Sequence, residues 1–358
     1  MESTTDHTER PIAERITHII QQLARMARDH GEDDAALRAS VNEAADALRT
    51  LATVTHDFSL LTLADSLGPD LLADYENRRV AAAANGGVVG VRTGVGHLDE
   101  ALNGLQAGRL YLLAAVPGCG KTTLALQMAA TVAEAGHPAL FVSLENDALD
   151  LAYKSACRLG RVSYGRVLKG KVERSEWTRA IGELRKLNGL LYLSTPRETM
   201  PDLAGLVEGV MARSGEAPRV VVLDYLQAYA KRGVAAGDDG EIRTRIDQLT
   251  PKLRALAETY KCAVVAIASQ NRAGYDKGGQ AALKESGDLE YGADVVMTLA
   301  RLNDKTDRTE FESWMATRET NSLLTPLNLF IDKNRFGASG APIKLVLDAD
   351  LCTIVERL

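Results

Sequence analysis

Positions 115–123 of the chain read Ala-Val-Pro-Gly-Cys-Gly-Lys-Thr-Thr. This stretch matches the phosphate-binding loop pattern G-x-x-x-x-G-K-[ST] except at its first position, where Ala115 replaces the usual glycine. A short apolar run at 110–114 precedes it, and apolar residues at helical spacing follow it from Leu124 to Val132. The loop therefore lies between a predicted strand and a predicted helix, which is the context in which this pattern binds phosphate.

The residue types in this loop suit nucleotide phosphates. Gly118 and Gly120 allow backbone N–H groups to surround phosphate oxygens, and the start of the helix adds partial positive charge. Lys121 is expected to reach the β- and γ-phosphates, and the Thr122 hydroxyl is expected to bind Mg²⁺. ATP and Mg²⁺ are thus the expected cofactors, and the predicted binding residues are Pro117, Gly118, Cys119, Gly120, Lys121, Thr122 and Thr123.

The composition fits a cytoplasmic enzyme. A chain of 358 residues has room for one large domain and one small domain. It contains neither an apolar run of membrane-spanning length nor the apolar core of a signal peptide. Its four cysteines are scattered without a C-x-x-C pair, which favours reduced thiols over disulfides or a zinc site.

The net charge of −6 belongs to the N-terminal part of the chain. Residues 1–80 contain 15 acidic and 8 basic side chains, whereas the remainder has a balance of +1. A broad basic field that would attract nucleic acid is therefore absent from the sequence, and a DNA contact would depend on a few local residues.

The chain is predicted to divide near residue 84. Apolar residues at helical spacing within 12–26 and 37–51 indicate an α-helical hairpin, and 70–84 indicates a linker helix. The sequence Asn85-Gly86-Gly87 then ends this all-α region, which covers 1–84. Two roles remain open for it, namely oligomerisation or partner docking, and packing as a helical cap on its own domain.

Strands and helices alternate in the second predicted domain, 85–358. Near-continuous apolar runs at 139–144, 189–193, 219–224 and 262–268, with helical stretches between several of them, predict a doubly wound, mostly parallel sheet. Later runs, at 293–299, 327–332 and 343–348, come with fewer helices and are predicted to add strands at one edge of the sheet.

Three of the predicted strands end in polar side chains. In an open α/β sheet the carboxyl ends of the strands face the ligand. Glu145 follows the strand at 139–144 and could polarise the water that attacks the γ-phosphate. Asp224 ends a second strand and could bind Mg²⁺, and Gln270 ends a third and could sense the γ-phosphate.

From about Gly86 onward, the order of these motifs resembles the C-terminal ATPase domain of the DnaB family of replicative DNA helicases, a RecA-like P-loop fold. Six segments carry the resemblance: Gly94-Val95-Gly96-His97-Leu98-Asp99, Gly104-Leu105-Gln106, Ser143-Leu144-Glu145, Asp224-Tyr225-Leu226-Gln227, Leu283-Lys284-Glu285-Ser286-Gly287 followed by Ala293-Asp294, and Lys333-Asn334-Arg335-Phe336-Gly337.

The resemblance implies a hexameric ring that moves on single-stranded DNA as a 5′–3′ helicase, with a primase or a loader as a further partner. It assigns catalysis to Glu145, Lys121, Gln270, Arg335 and Lys333, with the last two reaching the ATP of the next subunit. The DNA-facing loop would contribute Lys284, Glu285 and Gly287. The glycine-rich stretch that contains Lys231 and Arg232 is either a second DNA-binding loop or an ordinary surface loop.

The chain departs from the family pattern at four places. Gln270 stands one position later than the family glutamine, and Lys284 replaces an arginine. Thr250-Pro251 falls where the family has an unbroken helix, so a new helix capped by Thr250 is predicted there. Residues 1–80 do not clearly resemble the family's N-terminal domain.

Two rival functions stay open. One is a RecA-fold regulatory or recombination-accessory ATPase that does not unwind DNA. The other is a scaffold of a mobile element that joins a helicase ring. The motif at 283–287 favours a motor over the first rival, and the presence of both Glu145 and Arg335 argues against the second.

Overall fold

The computed structural model describes residues 16–17, 19–21, 41–42, 44–45, 68–187, 189–196, 202–231, 239–269, 292–302, 309, 312 and 324–357. The chain divides into two compact units, Met1–Asp74 and Tyr75–Leu358. In the first unit the few described residues before 68 are helical, and most of the expected hairpin lies outside the described residues. The division proposed at residue 84 stays a prediction.

The elements follow one another in an alternating order along most of the second unit. The helices are α1 Gly68–Ala84, α2 Gly96–Leu102, α3 Lys121–Glu134, α4 Ala148–Gly160, α5 Tyr164–Leu168, α6 Arg174–Arg185, α7 Leu203–Ser214, α8 Leu226–Lys231 and α9 Asp239–Tyr260. The strands are β1 Arg109–Ala115, β2 Ala139–Ser143, β3 Leu191–Ser194, β4 Val220–Asp224, β5 Ala263–Ser269, β6 Val295–Arg301, β7 Leu324–Asn334, β8 Ile343–Asp348 and β9 Thr353–Glu356.

The nine strands form one mixed sheet in the order β3-β2-β4-β5-β1-β6-β7-β8-β9. All pairs from β3 to β6 are parallel, and β6 to β9 pair antiparallel. This arrangement confirms the predicted doubly wound sheet with extra strands at one edge.

Two apolar layers cover the sheet, because successive side chains of each strand point to opposite faces. In β1, Tyr111 and Leu113 join the layer formed with α3, whereas Leu110 and Leu112 join the layer formed with α9. The strand is thus buried on both faces, as its continuous apolar run predicts. No helix among the described residues is long and apolar enough to cross a membrane.

Two local predictions were wrong or incomplete. Helix α9 passes through Pro251 without ending, so Thr250 is not a cap; its hydroxyl donates to the Ile246 carbonyl, at 3.2 Å. Strand β9 was not predicted at all.

Candidate active site

The phosphate-binding loop connects the carboxyl end of β1 to α3. Gly118 and Gly120 have φ angles of 80° and 84°, in the left-handed region that glycine adopts without strain. Helix α3 begins at Lys121, so its first N–H groups have no acceptor within the helix and are oriented toward an incoming anion. The loop backbone therefore fits a phosphate group.

Lys121 lies folded over this loop. Its Nζ donates to the carbonyls of Ala115 and Val116, at 2.9 and 3.1 Å. Burial lowers the pKa of Lys121, and the nearby Cys119, Asp224 and Glu145 oppose that shift. Because a phosphate oxygen makes a stronger, charge-assisted hydrogen bond than a carbonyl does, the amine is placed to exchange these partners for nucleotide phosphate.

Two side chains whose oxygen atoms could bind a metal ion, Thr122 from α3 and Asp224 from β4, meet beside the lysine. Thr122 Oγ1 donates to Asp224 Oδ2 at 3.0 Å, and Asn146 Nδ2 donates to the same oxygen at 3.4 Å. Asp224 is 1% exposed, and burial together with Glu145 raises its pKa to about 6 against the opposing hydrogen bond from Thr122. A hydroxyl and a carboxylate in contact are hard ligands that suit Mg²⁺.

Glu145 follows β2 and faces the same space. Leu144 N donates to the Asp224 carbonyl at 2.7 Å, and Asn146 N donates to Ser143 Oγ at 3.0 Å, so hydrogen bonds on both sides fix the backbone at Glu145. A cavity of about 280 Å³ results, lined by Pro117, Gly118, Gly120, Lys121, Thr122, Glu145, Tyr225 and Ser269. It has the Lys121 amine, the Thr122 hydroxyl bonded to Asp224, and an exposed acid, a composition that suits nucleotide hydrolysis.

The DnaB-like helicase C-terminal domain model matches residues 90–354. The chain belongs to the DnaB-like helicase family. Two of its relatives are the replicative DNA helicases DnaB of Haemophilus influenzae and of Leifsonia xyli subsp. xyli, each 30% identical. The first alignment covers 67% of this chain and 51% of the relative, and the second covers 61% and 48%. The chain thus spans about half the length of these curated relatives.

Two solved structures share the fold. A DnaB-like replicative helicase, described together with its interactions with primase, has a TM-score of 0.71 at 20% identity, over 97% of this chain and 76% of that one. A second structure, described as an ATPase domain, has a TM-score of 0.65 at 20% identity, over 82% of this chain and 99% of that one. The predicted RecA-like fold is confirmed.

The structure brings most of the predicted nucleotide residues of this DnaB-family chain together, with two qualifications. Cys119 is fully buried in the core beneath the loop, and burial raises its pKa, so only its backbone is available to a phosphate. Thr123 is half-buried in the first turn of α3 and does not line the cavity.

Lys333 and Arg335 lie at the opposite end of the sheet from the phosphate-binding loop. Lys333 is paired with Val296 in the β6–β7 register, near the amino end of β6. Arg335 N donates to the Asp294 carbonyl at 3.1 Å, and Asp294 in turn bonds to Leu110 at the start of β1. These two basic residues therefore do not join the site of their own chain.

Several predicted residues lie outside the described part of the chain: Gln270, Arg232, Lys284, Glu285 and Gly287. Lys231 is described as the exposed last residue of α8. Ser269, which precedes Gln270, lines the cavity, and its backbone N–H and carbonyl pair with the Gln227 side-chain amide at 3.0 and 2.9 Å. Gln227 thus fixes the last described residue of β5 at the site.

Sequence reasoning missed two side chains at the site. Asn146 donates to Asp224 and accepts from Lys154 Nζ at 3.4 Å, and Arg301 Nη2 donates to the Gly118 carbonyl at 2.9 Å. Arg301 is the last residue of β6, so the rule that polar side chains at strand ends face the ligand could have found it.

The buried carboxylate of Asp224 gives a prediction about stability. Its folded-state pKa of about 6 lies above its ordinary value of 3.8, so this carboxyl binds its proton more tightly in the folded chain than in the unfolded one. The chain therefore loses stability as the pH rises from 3.8 through about 6. Asp224→Asn, which stays neutral, should raise the free energy of unfolding by about 1–3 kcal/mol at pH 8 and by much less near pH 4. Urea unfolding without Mg²⁺ or nucleotide measures both values. Equal stability of variant and parent at both pH values would contradict the cost assigned to this charge.

Proposed function

We propose that this chain is an ATP-dependent DNA helicase or translocase that forms a hexameric ring of identical subunits on single-stranded DNA. Its two parts are a helical region, 1–84, and a RecA-like ATPase domain, 85–358. The observation that carries the proposal is one cavity of a DnaB-family domain that Lys121, Thr122 and Glu145 line together, with Asp224 buried behind it and hydrogen-bonded to Thr122. The family's replicative members are named as DNA helicases.

Each group at the cavity has a separate task. Lys121 and the loop backbone bind and neutralise the β- and γ-phosphates, and Thr122 and Asp224 hold Mg²⁺. Positive charge from Mg²⁺ held by these two residues would offset the negative charge that develops on the phosphates during hydrolysis. Glu145 orients the attacking water and accepts its proton. Gln270, directly after Ser269, responds to loss of the γ-phosphate.

The position of Arg335 favours hydrolysis between subunits. Hydrolysis of this type commonly uses an arginine near the transferred phosphate, and its loss costs about 10³–10⁵-fold in rate. Strand β1 has seven residues and so spans about 20 Å. Because Arg335 lies at its amino end and the phosphate-binding loop at its carboxyl end, the side chain is too far from its own site. Arg335, with Lys333, therefore serves the nucleotide of a neighbouring subunit in a closed head-to-tail ring.

The proposed DNA contacts come from two segments that face the centre of the ring. One contains Lys231 and Arg232, and the other contains Lys284, Glu285 and Gly287. The polarity proposed from the family resemblance is 5′–3′. A primase or a loader is a further proposed partner, since one solved DnaB-like helicase is described with its interactions with primase.

Replacement of Lys121 and replacement of Glu145 should have different effects on ATP turnover and nucleotide binding. Lys121→Ala should abolish ATP turnover and weaken nucleotide binding, because it removes the phosphate partner. Glu145→Gln should lower turnover at least about 10²-fold and keep nucleotide affinity, because the phosphate contacts are intact. Steady-state hydrolysis and binding of a fluorescent ATP analogue measure both. Near-parent turnover by Glu145→Gln would remove its assignment as the catalytic base.

Mixing two inactive variants tests whether the site is shared between subunits. Arg335→Ala should lower turnover with and without DNA, because the neighbouring site loses its cation. Mixed with Lys121→Ala, it should regain measurable turnover, since an intact loop then meets an intact Arg335 at some interfaces. Each variant alone at the same total concentration is the control. Absence of recovery at every mixing ratio would contradict the trans arrangement.

Single-stranded DNA should stimulate hydrolysis through the second loop. Lys284→Ala should reduce that stimulation and leave the DNA-free rate unchanged, because the lost contact is to DNA. The slope of log affinity against log salt should fall by about 0.7, the value for one single-strand phosphate contact. Binding titrations at several salt concentrations measure the slope. An ATPase that DNA does not stimulate at any salt concentration would favour a regulatory role.

A further inference from the structure

Asp294 is a fully buried carboxylate with three donors from three elements. It precedes β6, and its Oδ1 accepts from Arg254 Nη2 of α9 at 3.1 Å and from Arg335 Nη1 at 3.3 Å. Its Oδ2 accepts from the N–H of Leu110 in β1 at 3.0 Å. One buried charge therefore joins two arginines to the strand that leads to the phosphate-binding loop.

Other contacts hold the backbone of the tip formed by Arg335 and Phe336. Arg335 N donates to the Asp294 carbonyl, and Asp294 N donates to the Leu110 carbonyl, at 3.1 and 2.9 Å. The Arg109 guanidinium lies 3.8 Å from the centre of the Phe336 ring. The carboxylate of Asp294 is thus not required to place the tip, and its contact with the Arg335 side chain has a separate consequence.

The two arginines differ in how firmly they are attached. Arg254 belongs to helix α9, which packs against the sheet, and its Nε also donates to Glu258 at 3.2 Å. Gly292 lies so close to the same helix that a Cβ at this position would overlap Thr250. The segment that leads to Asp294 is therefore packed directly against α9. The two side chains are similarly exposed, 34% for Arg254 and 39% for Arg335, but Arg335 lies in the turn after β7 whereas Arg254 lies within a packed helix. Arg335 can therefore leave, and Asp294 still keeps Arg254, so that no buried charge is left unpaired.

We propose that Asp294 is a positioning residue that retains the Arg335 side chain within its own subunit and releases it to the nucleotide of the neighbouring subunit. Arg254 sets the strength of that retention, because it neutralises the same carboxylate. The inference rests on the proposed function of Arg335 across the subunit interface. The Asp294 carboxylate and the neighbour's phosphate then compete for one guanidinium, and retention lowers the fraction of subunits competent to complete a site.

This competition predicts effects of opposite sign from two residues in contact. Asp294→Asn removes the charge but keeps an amide oxygen for the Leu110 N–H, so Arg335 should be released more easily. Arg254→Met leaves the carboxylate with Arg335 as its remaining arginine, so Arg335 should be held more tightly. The subunit concentration at half-maximal ATPase activity per subunit should fall about two- to fivefold for the first and rise about two- to fivefold for the second.

The test measures ATP turnover of the full chain against subunit concentration for each variant, alone and combined with Arg335→Ala. Glu258→Gln is the matched control, because glutamine keeps an oxygen acceptor for Arg254 Nε and removes only an exposed charge, so it should leave the curve unchanged. In the Arg335→Ala background neither substitution should shift it. If circular dichroism shows the Asp294 variant unfolded, Arg254→Lys, a milder change, is measured beside Arg254→Met. Both should then shift the curve in the parent and neither in the Arg335→Ala background, which separates retention of Arg335 from general destabilisation.

Failure of the inference and failure of the proposed function give different results. If Arg335→Ala turns over ATP like the parent, the role of Arg335 itself is wrong. If Arg335→Ala is impaired, but the Asp294 and Arg254 variants shift the curve in the same direction, or still shift it without Arg335, then the retention by Asp294 is wrong. General destabilisation would raise the subunit concentration at half-maximal activity for both variants, so it cannot produce shifts in opposite directions.

Discussion

The parallel register of the central strands determines where each chemical group of the site lies. Ala115 in β1 is opposite Ser269 in β5, and Ser143 in β2 is opposite Asp224 in β4. A slip of one residue would turn Asp224 to the other face of the sheet, away from Thr122. Burial of both faces of these strands makes such a slip costly, so the hydrophobic core and the hydrogen-bonded pair Thr122–Asp224 depend on the same alignment.

The parts of the fold that could be predicted are those with a strong local pattern. Strands β1, β2, β4 and β5 are apolar along their length because they are buried on both faces, and a continuous run is what such strands require. Strand β9 was missed because it is short and lies at the sheet edge with half-buried residues. Its pairing is instead supported from a distance, since Gln127 of α3 exchanges hydrogen bonds with the Ile354 backbone.

In the site, too, residues that belong to short local motifs could be predicted, whereas contacts between distant parts of the sequence could not. Lys121, Thr122, Glu145 and Asp224 were predictable because each belongs to a short motif with its own chemistry. Arg301 and Asp294 were not assigned these contacts, because their partners Gly118 and Leu110 are 183 and 184 positions away along the chain. Only the folded sheet brings β6 against both ends of β1, so no spacing in the sequence indicates either contact.

Strand β1 connects two sites that, in the proposed ring, belong to different nucleotides. Its carboxyl end leads into the phosphate-binding loop of its own site, and its amino end bonds through Asp294 to the tip that serves the neighbouring site. A strand packed on both faces moves as a unit, because sliding one end would break the apolar contacts along its whole length. In the proposed ring, a shift at one nucleotide would therefore be carried to the backbone of the tip, while the exposed Arg335 side chain could change partner without moving that backbone. The strand would then transmit position, and the ion pair with Asp294 would control when the arginine is available.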